Sequence, residues 1–127
     1  MSKAHEEVKL NVDGEKVFSS KQASTSDVAI GATNTDAVIT YTASANRAHV
    51  ISGLAWSYAG ETITGNLQIE DGSGNVVFSM DVTAAGAGFI TFPEAKKGST
   101  GRAMIITLAA GGSGVDGKLN VLNHWTE

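Results

Sequence analysis

The sequence predicts a single all-β domain, a β-sandwich for which a jelly roll of two four-stranded sheets is the preferred arrangement. Three observations lead to this fold class. Apolar and polar residues alternate along several segments, turn-forming residues separate these segments at near-regular spacing, and no segment shows the apolar periodicity of a helix of three turns. The chain has 127 residues, which is the size of one domain.

Roughly eight or nine segments have the features of strands. The alternation is clearest in "VKLNV" (8–12), "ETITGNLQIE" (61–70) and "NVVFSMDV" (75–82). Others are rich in β-branched or aromatic residues: "AVITYTA" (37–43), "GFITF" (88–92), "AMIITLA" (103–109) and "KLNVLNHW" (118–125). The intervening stretches "YAGE", "EDGSGN", "AAGAG", "PEAKKGSTG" and "GGSGVDG" supply the glycines and turn formers that hairpins and longer loops need.

The segment "HVISGLAWSYAG" (49–60) separates large and small residues by parity. Val50, Leu54, Trp56 and Tyr58 share one parity, and Ile51, Gly53, Ala55 and Ser57 share the other. The bulky set is expected to fill the interior of the sandwich. The other set is expected to form a flat face that another backbone can approach closely, although small residues also suit a solvated outer sheet.

The N-terminal third differs in composition from the rest of the chain. In "SSKQASTSDVAIGATNTD" (19–36), Val28 and Ile30 are the only large aliphatic residues. Two interpretations stay open for this segment: a surface loop or weak edge strand, or an extended arm that becomes ordered against a neighbouring subunit. We therefore divide the chain into an N-terminal strand and extended arm (1–35) and a β-sandwich domain (36–127).

Composition and charge exclude several function classes. The net charge is −4 and no basic stripe is present, which argues against nucleic-acid binding. There is no cysteine for a disulfide or a thiolate site. The N-terminus lacks the apolar region of a secretory signal, and no apolar run approaches the length of a transmembrane helix.

Neither catalysis nor metal binding is predicted from the motifs. His5, His49 and His124 are far apart in the sequence, and their spacing gives no sign that they converge with carboxylates. The "EDGSGN" loop lacks the alternating acidic residues of a calcium loop. Ser57 and Ser79 have no nucleophile-elbow context, so we expect no enzyme, no cofactor and no metal site.

The aromatic residues allow two interpretations. Trp56, Tyr58 and Trp125 could form a sugar-stacking platform, or Trp56 could pack in the interior with the phenylalanines. Because the chain has only eight aromatic residues (two Trp, two Tyr and four Phe), the interior is expected to use most of them. Trp125 lies close to the C-terminus and needs an apolar partner, either its own sheet or another chain.

Two stretches carry a resemblance to a known family: "HVISGLAWSYAGETITGNLQIEDGSGNVVFSMDVTAAGAGFITFPE" and "GRAMIITLAAGGSGVDGKLNVLNHW". The "WSYAG" hairpin, the "GFITFPE" strand and the Gly-rich turn before "GKLNV" resemble the small β-sandwich decoration (cement) proteins of tailed bacteriophages. The resemblance covers residues 46–125. It implies a non-enzymatic virion structural protein, without cofactors, that binds the outer capsid surface and stabilises the head by bridging capsomers.

The resemblance also implies partners and a location. The partner is the major capsid protein, the protein itself forms a homo-oligomer (a trimer or dimer), and the site of action is the capsid surface of a virion assembled in the host cytoplasm. The residues expected at interfaces are Val28, Ile30, Ile51, Gly53, Ala55, Ser57 and Trp125. Two alternatives stay open: another phage assembly component, such as a head fibre, tail or minor capsid protein, or a carbohydrate-binding module.

Overall fold

The computed structural model describes residues 24–127, which fold into antiparallel strands without a helix in that range. The strands, in chain order, are β1 (Thr25–Ile30), β2 (Ala37–Tyr41), β3 (His49–Ala59), β4 (Gly65–Asp71), β5 (Val76–Val82), β6 (Gly86–Lys97), β7 (Met104–Leu108) and β8 (Asp116–Thr126). The predicted strand at residues 8–12 lies outside the described residues.

The strands form two four-stranded sheets that pack face to face. The first sheet has the order β1-β8-β3-β6 and the second has the order β2-β7-β4-β5. Consecutive strands alternate between the sheets except for the β4–β5 hairpin, which stays within the second sheet. This connectivity is that of a jelly roll. The predicted all-β sandwich is confirmed.

The interior is a single apolar layer between the sheets. Leu54, Leu119 and Val121 project into it from the first sheet, and Leu67 and Ile106 from the second; all five are buried. These residues recur at every second position of their strands because successive side chains of a strand point to opposite faces. The alternation of apolar and polar residues in "NLQIE" and "KLNV" thus reflects which side chains enter this layer.

A β-bulge in β3 changes which side chains face the interior. The register of β3 against both neighbours shifts around Gly53, so Ile51 and Leu54, three residues apart, both join the interior. A bulge adds one residue to a strand and reverses the alternation beyond it. The expectation that Ile51 belongs to the small outer face is therefore wrong. Val50 points outward and is buried beside its register partners Lys97 and Trp125.

Tyr58 determines the space available at one end of the interior. Its ring is buried, and its hydroxyl donates a hydrogen bond of 2.5 Å to the carbonyl oxygen of Ala109. A Cβ at Gly65 or Gly111 would collide with this ring, so glycine is required at both positions. The sugar-stacking platform that included Tyr58 is wrong, because the ring is inaccessible to a ligand.

Residues 25–30 lie within the range expected to form an arm, and they belong to the first sheet. β1 is an edge strand that pairs with β8, from Thr25 opposite His124 to Ile30 opposite Lys118. The edge-strand interpretation therefore describes this part of the segment. Residues 1–23, which the arm was also expected to include, lie outside the described residues.

Two leucines provide a matched test of the layer arrangement. Leu54 is buried in the interior, and Leu122 is exposed on the outer face of the same sheet. Leu54→Ala is expected to lower the free energy of unfolding by about 2–5 kcal/mol, because it leaves a cavity in a packed layer. Leu122→Ala is expected to lower it by less than about 1 kcal/mol. Urea unfolding of both variants measures the difference, and equal losses would contradict the assigned faces.

Candidate functional site

The outer face of the first sheet carries several exposed apolar side chains among polar ones, and we call this set the apolar surface. It consists of Val28, Ile30, Ala55, Ala87, Phe89 and Leu122. These residues come from all four strands of the first sheet, at positions that alternate with the buried ones. They are brought together by strand pairing and not by proximity in the sequence.

The pairing register places these residues in rows across the sheet. One row runs Val28, Asn120, Ala55, Phe89, and the next runs Ile30, Lys118, Ser57, Ala87. Neighbouring strands are about 4.8 Å apart, so each row extends about 14 Å. The large apolar side chains of these rows lie on the edge strands β1 and β6, and the central strands β8 and β3 contribute polar and small residues between them.

The exposure of the large members is unusual for apolar side chains. The exposed fractions are 72% for Phe89, 70% for Ile30, 59% for Val28 and 39% for Leu122. These four account for most of the seven large hydrophobic side chains that are exposed among residues 24–127. Single exposed apolar residues are common, whereas several on one face of a sheet make that face a candidate binding surface.

An open depression of about 370 Å³ lies within the apolar surface. Its lining comprises Ala55, Trp56, Ser57, Ala87, Gly88, Phe89, Lys118 and Asn120. The indole of Trp56 packs against the interior on the far side of Gly88, where a Cβ would come within 2.6 Å of the ring. Glycine at position 88 leaves room for the indole of Trp56 to pack against the interior. The depression on the outer face stays shallow, and its shape suits a protruding apolar side chain of a partner.

The outer face of the second sheet differs in chemistry. Its strands present Asn66, Gln68 and Glu70 from β4, Ser79 and Asp81 from β5, and Thr107 from β7. The amide of Asn66 donates hydrogen bonds to the hydroxyl of Ser79 (3.1 Å) and the carboxylate of Asp81 (3.2 Å). The strands of the second sheet also carry the exposed Val38, Val76 and Val77, so the two sheets differ in degree: the most exposed large apolar side chains, Phe89 and Ile30, belong to the first.

The structure brings most of the sequence-predicted interface residues onto the apolar face. Val28, Ile30, Ala55 and Ser57 lie in the two adjacent rows, and Gly53 lies beneath Leu122. Ile51 is in the interior. Trp125 is half-buried beyond the bulge, and its indole N–H donates to the carboxylate of Glu127 (2.8 Å), which pairs with Lys97 (3.2 Å).

Phe89, Ala87 and Leu122 were not predicted from the sequence. Phe89 was expected in the interior with the other phenylalanines, yet it shares its parity with Thr91, whereas Ile90 and Phe92 have the opposite parity and contact the interior. This alternation in "GFITF" is the signal that would have assigned Phe89 to the outside. Leu122 follows the outward parity of Lys118 and Asn120 in the same way.

Two of the three histidines meet, which the sequence spacing did not indicate. His49 Nδ1 and His124 Nε2 are 2.9 Å apart, and the ring of His124 stacks on Tyr41 with centroids 3.6 Å apart. This contact joins two imidazoles and is not the convergence with carboxylates that zinc binding or catalysis would need; His5 lies outside the described residues. Within residues 24–127, no group of three His, Cys, Asp or Glu side chains is placed to hold a metal ion.

No protein-family model matches the chain, and no curated protein matches it. Among solved structures, it is similar to a chain from the cryo-EM structure of a virus-like particle of the extra small virus of the giant freshwater prawn, Macrobrachium rosenbergii. The identity is 12%, the match covers 86% of this chain and 81% of that chain, and the TM-score is 0.38. The resemblance to phage decoration proteins stays a prediction. No helix in the described range could span a membrane.

Two phenylalanines of β6 test the geometry of this surface. Phe92 packs against the interior and makes an edge-to-face contact with Phe78 (centroids 5.3 Å apart), whereas Phe89 points to solvent. Phe92→Ala is expected to lower the free energy of unfolding by about 2 kcal/mol or more. Phe89→Ala should change it by less than about 0.5 kcal/mol. Chemical unfolding measures both, and a large loss for Phe89→Ala would show that its ring is internal.

Proposed function

We propose that this protein is a non-enzymatic virion structural protein that binds the outer surface of a capsid through the apolar surface and stabilises the head by bridging capsomers. The observation that supports this proposal is the exposure of Phe89, Ile30, Val28 and Leu122 on one face of the first sheet. Nothing in the fold requires these side chains to be apolar, because the interior layer lies on the other side of the sheet. Contact with a partner gives them a physical role.

The contrast between the outer faces supports a directional arrangement. A protein attached to a shell needs one face that is desolvated on docking and another face that stays hydrated. The apolar surface fits the first requirement, since burial contributes roughly 25 cal/mol for each Å² of apolar area. The polar side chains of the second sheet, with Glu70 and Asp81 among them, fit the second. The proposal therefore has the second sheet facing solvent.

The size of the apolar surface favours several linked contacts over one strong contact. The two rows across four strands cover on the order of 100 Å² between Cα positions. A standard specific interface buries about 800 Å² on each partner. Attachment through this surface alone would be weak, whereas a homo-oligomer that presents two or three copies gains by effective concentration. This reasoning supports the trimer or dimer that we propose.

The carbohydrate-binding alternative loses its proposed site. It required Trp56 and Tyr58 to form an exposed platform, and Tyr58 is buried while Trp56 packs against the interior. The non-enzymatic part of the proposal is supported by the character of the candidate surface, which is a shallow apolar face and not a cleft lined by titratable groups. The major capsid protein is the partner that we propose.

Attachment to empty heads tests the proposal. The purified protein is mixed with empty heads assembled from the proposed partner, a major capsid protein, and co-sedimentation gives the apparent Kd. Phe89→Asp is expected to weaken attachment by about 30-fold or more, which corresponds to the loss of a hot-spot residue. The cause is a charge placed in a desolvated contact.

Two valines give the matched control for this experiment. Val28 and Val38 are both exposed on edge strands, Val28 on the apolar surface and Val38 on the outer face of the second sheet. Val28→Asp should weaken attachment and Val38→Asp should leave it unchanged. Wild-type attachment by both Phe89→Asp and Val28→Asp would reject the apolar surface as the docking site, and no attachment by the wild-type protein would reject capsid binding itself.

A further inference from the structure

A group of polar side chains lies at one end of the sandwich, where both sheets contribute to it. It consists of Asp27 from β1, Tyr41 from β2, His49 from β3 and His124 from β8, together with the carbonyl group of Thr42. Tyr41 donates a hydrogen bond of 2.6 Å to Asp27, and its ring stacks on His124. The group therefore joins the second sheet, through β2, to both β1 and β8 of the first.

Hydrogen-bond geometry determines where the protons of the histidine pair lie. His49 Nε2 is 2.7 Å from the carbonyl oxygen of Thr42, which can only accept, so Nε2 carries a proton. In neutral His49, Nδ1 is then an acceptor, and it receives the hydrogen bond from His124 Nε2–H over 2.9 Å. Both hydrogen bonds, from His49 to the Thr42 carbonyl and from His124 to His49, therefore form when both imidazoles are neutral.

The pair tolerates one added proton and not two. A proton on the free Nδ1 of His124 leaves the His124 Nε2–H donor and the His49 Nδ1 acceptor unchanged. A second proton must go to His49 Nδ1, where it would face the Nε2–H of His124, and two donors cannot share a hydrogen bond. Two positive rings with centroids 5.1 Å apart would also repel each other.

We infer that His49 and His124 form an acid-sensitive latch, which holds the end of β2 against the first sheet while at least one imidazole is neutral and releases it when both are protonated. The released parts are the Thr42 carbonyl contact and the Tyr41 stack. β1 and β2 are edge strands, so each is held from one side only within its sheet, and contacts between the sheets matter more for them. The inference does not depend on the proposed capsid role.

The charged groups around the pair have opposing effects on the pKa of His124. Burial, followed by the neighbouring His49, lowers the pKa of His124 below its ordinary value, and the carboxylate of Asp27 opposes this shift. Tyr41 stays a donor because burial and Asp27 raise its pKa. Arg47 donates to the hydroxyl (2.9 Å) and carbonyl oxygen of Thr126, the register partner of His49. Other charged groups nearby are Lys96 and Lys97 of β6, with the Lys96 ammonium over Phe92, and Glu127 after β8, which pairs with Lys97.

The direction of the pH effect follows from proton binding. Because the folded pair resists its second proton, it takes up fewer protons than two independent histidines of the unfolded chain, and the lowered pKa of His124 has the same direction. The pair's contribution to the free energy of unfolding is therefore full above the ordinary pKa of 6.5. It decreases as the pH falls below 6.5 towards the lowered pKa of His124 in the folded protein. Carboxylates do not contribute in this window, because their ordinary pKa values are about 4.

The test uses the full chain carrying His5→Gln, so that the pair contains the only histidines. Between pH 7.5 and pH 5, Tm is expected to fall by about 5 °C. His124→Gln should reduce this fall by at least half, because a glutamine amide can donate to neutral His49 and can turn its oxygen towards protonated His49. Low protein concentration is needed near the pI of 5.3. An equal fall in both proteins would overturn the inference.

Imidazole ¹⁵N NMR on the same His5→Gln protein provides a second test that does not depend on the folding of a variant. Above pH 7.5, His49 is expected as the neutral Nε2–H tautomer, and the Tyr41 ring protons should show the shift caused by stacking on His124. Loss of that shift should coincide with uptake of the second proton. Two charged imidazoles with an unchanged Tyr41 stack, or an Nδ1–H tautomer of His49, would contradict the latch.

Discussion

The first sheet carries apolar side chains on both of its faces, and a sandwich of two sheets can bury only one of them. The inner face, with Leu54, Leu119 and Val121, is required for the fold because it closes the layer against Leu67 and Ile106. The outer face, with Phe89 and the exposed aliphatic residues of β1, has no such requirement. The second sheet also exposes three valines, and the functional proposal depends on the larger and more exposed side chains of the first sheet, Phe89 and Ile30.

The sequence predicted the fold class well because burial on one face of a strand leaves an alternating pattern that is visible in one dimension. It predicted the parity of β3 poorly, since the bulge around Gly53 reverses the alternation within a single strand. A bulge has no strong sequence signature beyond a glycine, and this chain has 15 glycines. Ile51 was therefore assigned to the wrong face, whereas Ala55 and Ser57, which follow the bulge, were assigned correctly.

Contacts between side chains that are far apart in the sequence could not be predicted from residue spacing. His49 and His124 are 75 positions apart, and they meet because β3 and β8 are neighbours in the first sheet. Val28 and Phe89 share a row for the same kind of reason. Strand order, and not composition, determines both the histidine pair and the apolar surface. The residue types could be identified in advance, and their grouping required the topology.

The two features lie at different places in the fold and act on different strands. The apolar surface uses side chains of the first sheet that point away from the interior. The histidine pair uses side chains at the end of the same sheet that point towards the second sheet. β1 belongs to both, because Val28 and Ile30 point outward while Asp27 bonds to Tyr41. Loosening of this edge strand would therefore also disturb one margin of the apolar surface.

The most direct test of the central claim is a cryo-EM map of the protein bound to empty heads. The account predicts that the outer face of the first sheet is turned to the shell, with the Phe89 ring buried in the contact and the strands of the second sheet directed to solvent. A map in which the second sheet faces the shell, or in which Phe89 and Ile30 stay in solvent, would contradict it.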